Sequence, residues 1–135
     1  MNFNIIPLDE SHYDEVLVGW WKDWNFVPPL KDFLPDNGKG GMIVYENLTP
    51  ICAGFLYITN SNVAWINWIV SNKEYKFRKK RTQAFNLLIN TLINIALNNK
   101  KTYVFANNNN PSLINRYLKL GFLKGCISTE LIYKI

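Results

Sequence analysis

Cysteine and histidine are almost missing from these 135 residues, which hold two cysteines, Cys52 and Cys126, and one histidine, His12. The cysteines have no metal-type spacing and no neighbouring ligand cluster, which argues against zinc and against a disulfide framework. A reducing compartment is the simpler expectation. No apolar run approaches the roughly 18 residues of a membrane span. The N-terminus lacks a basic segment followed by an apolar stretch, so no secretory signal is read there. These absences predict a soluble, cytoplasmic protein that binds no metal. Carboxylates are in deficit as well. Fifteen Lys and Arg stand against ten Asp and Glu, for a net charge of +5 and a pI of about 9.2. That balance suits an anionic ligand, an acidic partner or nucleic acid, and selects none of them.

Apolar and aromatic residues are plentiful, at 48% and 15%. A chain of this size and composition can build a core, and disorder is not expected. Residues 1–135 read as one domain without linker or repeat.

The stretch Val63–Asn98 organises the rest. Val63–Ser71 is rich in β-branched and aromatic residues and reads as a strand. Asn72–Lys80 is a basic loop. A helix follows from about Arg81 to Asn98, with Ala84, Leu88, Leu92, Ile95 and Ala96 on one face. A helix N-terminus offers free N–H groups and a positive dipole end, and cations add to that field. The loop is therefore a phosphate site or a solvated basic face; charge runs alone allow both.

Around it, Phe3–Leu8 reads as a short strand. Asp9 can cap a helix to about Asp23 whose apolar face holds Tyr13, Val16, Leu17, Trp20 and Trp24. Trp20, Trp21 and Trp24 are either core or, in part, the wall of a cleft. Asn25–Gly41 is a turn-rich connection with a helical turn near Leu30–Phe33. Met42–Glu46, Ile51–Ile58 and Val63–Ser71 form a meander, and Thr102–Ala106 is a strand reached by a parallel crossover. Pro111–Phe122 reads as a short helix with Asn110 as N-cap and Gly121 as its stop. Cys126–Ile135 reads as a final strand. The expected class is α/β (α+β): a mixed central sheet with flanking helices, in the order β-α-loop-β-β-β-α-β-α-β.

That order, with these residues, resembles the GNAT superfamily of acyl-CoA N-acyltransferases over nearly the whole chain. Asn110, Tyr117 and Leu120-Gly121-Phe122 look like the family's Asn…Tyr…Gly-Phe segment. Val63–Asn98 stands where the family holds the acyl-CoA pyrophosphate. The family's Gln/Arg-x-x-Gly-x-Gly/Ala pattern is not kept there. With Arg78 first, Arg81 and Gln83 occupy the small positions; with Lys76 first, Lys79 and Arg81 do. A glycine-poor, basic loop of this kind is most similar to phage-encoded GNAT-like proteins.

The resemblance implies an N-acetyltransferase that uses acetyl-CoA and no metal. Ile69, Val70, Lys76, Arg78, Lys79, Lys80, Arg81, Thr82, Asn110 and Ser112 would hold the acetyl-CoA. Backbone N–H near Ile69 and Val70 would polarise the thioester carbonyl, and Tyr117 would protonate the departing thiolate, with Asn110 ordering the site. Trp20, Trp21, Trp24 and Phe26 would wall the acceptor. No base stands out among His12 (read as a surface residue), Asp32, Asp36, Glu46, Glu130 and the Ile135 carboxylate, so a water would deprotonate the amine. The acceptor would be a small-molecule amine or a protein lysine, and a homodimer is compatible with the exposed aromatics. Two other readings stand beside it. One is a GNAT-like binding or assembly module without catalysis. The other is an enzyme or binder acting on aminoacyl-tRNA through Lys76–Arg81.

Overall fold

Strand pairing in the computed structural model, which describes residues 2–135, runs β1-β2-β3-β4-β5 in one sheet. The strands are β1 Phe3–Pro7, β2 Gly41–Glu46, β3 Thr49–Ile58, β4 Val63–Ser71 and β5 Tyr103–Ala106. The first four pair antiparallel, and β4 pairs with β5 parallel. The helices are α1 Glu10–His12, α2 Val18–Asp23, α3 Arg78–Asn98 and α4 Pro111–Lys119. A wider π turn, Tyr13–Leu17, joins α1 to α2 without a break.

Each sheet face buries its own core. Against α3 and α4 lie Val44, Ile51, Cys52, Leu56 and Ile66, with Leu88, Ile89, Leu92 and Tyr117 from the helices. Against α1 and α2 lie Ile43, Ala53, Phe55 and Val70, with Leu8, Leu17, Trp20, Trp21 and Leu34. The long connection before β2 is pinned to this second layer. The Tyr57 hydroxyl donates to the Phe33 carbonyl at 2.9 Å, and the Tyr13 hydroxyl donates to that of Pro29. Its helical turn, expected near Leu30–Phe33, forms as a 3₁₀ turn over Lys31–Phe33, and a second follows at Pro35–Gly38.

Four expectations need correction. First, α3 starts at Arg78, not at about Arg81, so the last cations of the loop form the helix's first turn. Second, α4 ends at Lys119, with Leu120 as its cap and Gly121 beyond it at φ +103°. A glycine there takes the left-handed turn that ends a helix at least cost. Third, Cys126–Ile135 forms no strand: the segment has no regular secondary structure and is exposed. A strand needs a pairing partner as well as a suitable pattern, and this segment pairs with no other strand. Fourth, His12 is buried, not a surface residue. Its Nδ1 accepts the Asp9 N–H at 2.9 Å and its Nε2 lies 3.0 Å from the Tyr45 hydroxyl, while Asp9 caps the same turn. The histidine is thus part of a reciprocal helix cap.

Candidate functional site

The site begins with a defect in β4. Ala53 pairs with Val70 and Phe55 with Asn67, so Gly54 alone faces both Trp68 and Ile69. This is a β-bulge: two residues against one. Trp68 sits in the left-handed region at φ +58°, rare for a bulky side chain. Asn67 supports it by accepting the Trp68 N–H on Oδ1 at 2.9 Å. Glycine leaves room opposite for Ile69: a Cβ on Gly54 would lie 2.2 Å from Ile69 Cδ1, so the isoleucine side chain would have to shift. The ladder from β4 to β5 spans Val63 to Ile66 and stops before the bulge. From Asn67 onward β4 has no parallel neighbour, which opens the sheet on the route to the head of α3.

At that head the sequence places Arg78, Lys79, Lys80 and Arg81 in the first turn, with no acidic residue. The preceding Phe77 supplies no side-chain cap. Four cations at the positive end of a helix dipole are unfavourable on their own. Each is handled differently. Lys80 lies 2.9 Å from the Glu46 carboxylate, which also accepts the Tyr75 hydroxyl at 2.8 Å. These two bonds, the Lys80 one foremost, hold the Glu46 carboxyl below its usual value. Lys79 points to solvent. Arg78 and Arg81 line a cavity of about 490 Å³ together with Lys73, Lys76, Arg116 and Trp24.

This cavity has five cations and no carboxylate in its wall. Arg81 Nη2 reaches the Ser71 hydroxyl at 3.4 Å, but its buried Nε has no partner. Burial, and then repulsion from Arg81, brings the Arg116 guanidinium below its usual pKa. Trp24 closes one side: its indole N–H donates to the Ser71 carbonyl at 2.9 Å, and Lys73 Nζ sits 5.1 Å from its ring centre. The arrangement concentrates positive charge that an anionic ligand would neutralise.

Tyr117 adjoins the cavity through its neighbours. Arg116 stacks over Phe85 at 5.8 Å, and the Tyr117 ring meets the same Phe85 edge-on at 5.4 Å and Phe122 at 4.9 Å. Tyr117 is 6% exposed, and burial alone pushes its phenol well above the ordinary tyrosine value. Asn110 caps α4 by accepting the Ser112 and Leu113 N–H groups at 2.9 and 3.3 Å. That cap fixes the helix on which Arg116 and Tyr117 stand.

The expected site residues therefore separate. Lys76, Arg78 and Arg81 come together in the cavity. Ile69 and Val70 lie at the bulge, and the Thr82 hydroxyl donates back to the Arg78 carbonyl at 3.2 Å. Ser112 is exposed at the start of α4. Trp20 and Trp21 project from α2 into the core and are buried, while Phe26 is exposed and does not line the cavity. Trp24, expected on the acceptor side, lines the cationic cavity instead. Sequence reasoning did not single out Lys73, Arg116 or Asn67. The signal for Arg116 was its place beside Tyr117; the other two carried none beyond the basic loop and a polar residue inside an apolar strand. Among the described residues no cluster of acidic, His or Cys ligands could hold a metal ion, and no helix is long and apolar enough to cross a membrane.

No family model and no curated protein matches the chain. Solved structures do. The ribosomal-protein-S18-alanine N-acetyltransferase of Escherichia coli is 14% identical, with a TM-score of 0.68 over 92% of this chain and 79% of that one. Glucosamine-6-phosphate N-acetyltransferase of Arabidopsis thaliana is 10% identical, with a TM-score of 0.67 over 99% of this chain and 100% of that one. N-acetylglutamate synthase of Neisseria gonorrhoeae, solved with coenzyme A and L-arginine, is 10% identical with a TM-score of 0.73. That match covers 92% of this chain but 28% of the other, so it concerns one part of a longer protein. At such identities the likeness is one of architecture: the chain has the fold of the GNAT acyl-CoA N-acyltransferases.

Proposed function

We propose that this protein is an N-acetyltransferase that takes an acetyl group from acetyl-CoA and passes it directly to a primary amine of a small molecule or a protein. One observation carries the reading: five cations converge on one cavity without a carboxylate, beside the opening in the sheet. The pyrophosphate of CoA matches that charge and would give the buried Arg81 Nε its missing acceptor. The fit holds without the family's glycines because Lys73, Lys76, Arg78, Arg81 and Arg116 reach the ligand with side chains, whereas glycines would bring backbone N–H groups close.

In this reading acetyl-CoA supplies the activated thioester, and the chain does the rest. Backbone N–H groups at Ile69 and Val70 face the thioester carbonyl and stabilise the oxyanion that develops there. The amine loses its proton to water and attacks the carbonyl carbon. Tyr117, kept protonated by burial, donates its hydroxyl proton to the thiolate as the C–S bond breaks and regains one from the water that took the amine's proton. Glu46 is not the base, since Lys80 and Tyr75 occupy its carboxylate.

A binding module without turnover is the second reading, favoured by the Lys and Arg side chains that stand where the family keeps its small residues at the head of α3. Thiol release from acetyl-CoA in the presence of a panel of amines separates the two. An enzyme releases CoA in proportion to amine, and Tyr117→Phe lowers kcat about 100-fold or more while leaving CoA affinity near wild type. A protein that binds CoA but releases none with any amine contradicts catalysis.

A further inference from the structure

A row of aromatic side chains runs across one face of the sheet, at the margin of its core. Tyr57 of β3 pairs with Trp65 of β4, and Trp65 pairs with Phe105 of β5. Residues in direct register point to the same face of a sheet. Tyr103 lies two residues before Phe105 and joins that face. The face is the α2 side: Tyr57 packs against that core, while Leu56, Ile66, Val104 and Ala106 turn toward α3. Among the described residues, Trp65, Tyr103 and Phe105 belong to neither core. Tyr103 and Phe105 are 66% and 46% exposed, and Tyr57 and Trp65 are half-buried. The Trp65 and Phe105 rings meet at 4.8 Å, and the Tyr57 hydroxyl is fixed by its bond to the Phe33 carbonyl.

Charge selects the occupant of this face. Eight of the ten carboxylates precede Asn47, whereas residues 47–129 hold eleven Lys and Arg against one carboxylate, Glu74. Such segregation along a chain points to a polyanionic partner. β3, β4 and β5 contain no Asp or Glu, and neither do residues 59–62 and 99–102 beside them. Two cations stand at one end of the row. Lys101 lies two residues before Tyr103, and its Nζ donates to the Ser61 carbonyl at 2.6 Å in the turn before β4. Lys100 beside it is exposed. Aromatic faces flanked by lysines and free of carboxylates suit a chain that presents flat rings and phosphates together.

We propose that Tyr57, Trp65, Tyr103 and Phe105 form a stacking platform for the unpaired bases of single-stranded nucleic acid, with Lys100 and Lys101 on its phosphates. Neighbouring strands lie about 4.8 Å apart, so the row spans about 10 Å from β3 to β5, room for two bases. Stacking uses only the flat face of a base, so binding tolerates changes of sequence. A duplex hides those faces. The platform shares no residue with the cationic cavity and does not rest on the acetyltransferase reading.

Fluorescence anisotropy of a labelled strand of about 15 nucleotides tests it, as RNA and as DNA, against the same sequence annealed to its complement. The full chain is expected to bind the unpaired strands and to bind the duplexes more weakly. A preference for RNA over DNA would add the 2′-hydroxyl to the contacts. Phe105→Ala, outside both cores, is expected to weaken binding about 5- to 150-fold with unchanged far-UV circular dichroism. Lys100→Ala combined with Lys101→Ala is expected to flatten the salt dependence by a slope of about 1.4. Saturating CoA and Arg81→Ala are expected to leave binding near wild type. Failure of both single strands to bind at low salt, equal binding of the duplexes, wild-type affinity in Phe105→Ala, or loss of binding with CoA or in Arg81→Ala would each overturn the proposal.

Discussion

In the proposed reaction, single side chains carry the chemistry. Tyr117 is the clearest case. Its phenol is held protonated by burial, so it can act as an acid through the whole physiological range. Its titration therefore should not limit the rate on the alkaline side: turnover is expected to rise with pH as the amine deprotonates and then level, with no fall near the usual tyrosine value of about 10. A pH–rate profile to that limit checks this, and a descending limb would assign the acid elsewhere. The two cysteines divide just as sharply. Burial pushes the Cys52 thiol up to about 12, while Cys126 is exposed. A thiol reagent is expected to label one cysteine in the native protein and both after denaturation. Tyr117 and its Asn110 cap were legible in the sequence because a capped helix with glycine at its end is a local pattern. Arg116 was not, since its role comes from Phe85, Arg81 and the cavity, which are distant in the chain.

Elements hold these groups in place through local devices, each open to one substitution. Asn110→Ala removes the acceptor for two N–H groups of α4 and is expected to cost about 1 kcal/mol in denaturant unfolding. Asn110→Asp keeps an acceptor and should cost far less. Gly54→Ala places a methyl group into Ile69 at the bulge and is expected to cost roughly 1–3 kcal/mol, the range for overpacking. The head of α3 depends on Glu46, whose carboxyl is held below its usual value of about 4.5 by Lys80 and Tyr75. A carboxylate shifted downward stabilises the fold above its unfolded pKa, and that contribution is lost as pH falls through the folded value. Glu46→Gln should therefore be less stable at pH 7 and lose less stability on acidification below about pH 4.5 than the parent. The strand bounds of β4 were readable from its apolar run. Its bulge was not, because a register defect is set by the partner strand, here by Gly54. The start of α3 was placed about three residues late, since a first turn of four cations carries none of the acidic or capping residues by which helix starts are read.

The whole molecule is a sheet with a filled core on each face, an opening where β4 and β5 part, and a cationic cavity at the head of α3. Element order alone pointed to that architecture. The one strand that did not form, residues 126–135, shows the limit of such reading: alternation specifies a face, and another element must cover it. Arg81 and Arg116 line the cavity with Lys73, Lys76 and Arg78 and no acidic residue, an arrangement that a polyanion would stabilise. Thermal unfolding with CoA, with acetyl-CoA and without ligand tests this most directly. A ligand at about 100 times its Kd adds roughly 2.7 kcal/mol to native stability, a rise in Tm on the order of 5–10 °C for a chain of this size. The account predicts that rise with both ligands and its loss in Arg81→Ala. An unchanged Tm at millimolar CoA would contradict it, because the cavity at the head of α3 would then not be a pyrophosphate site.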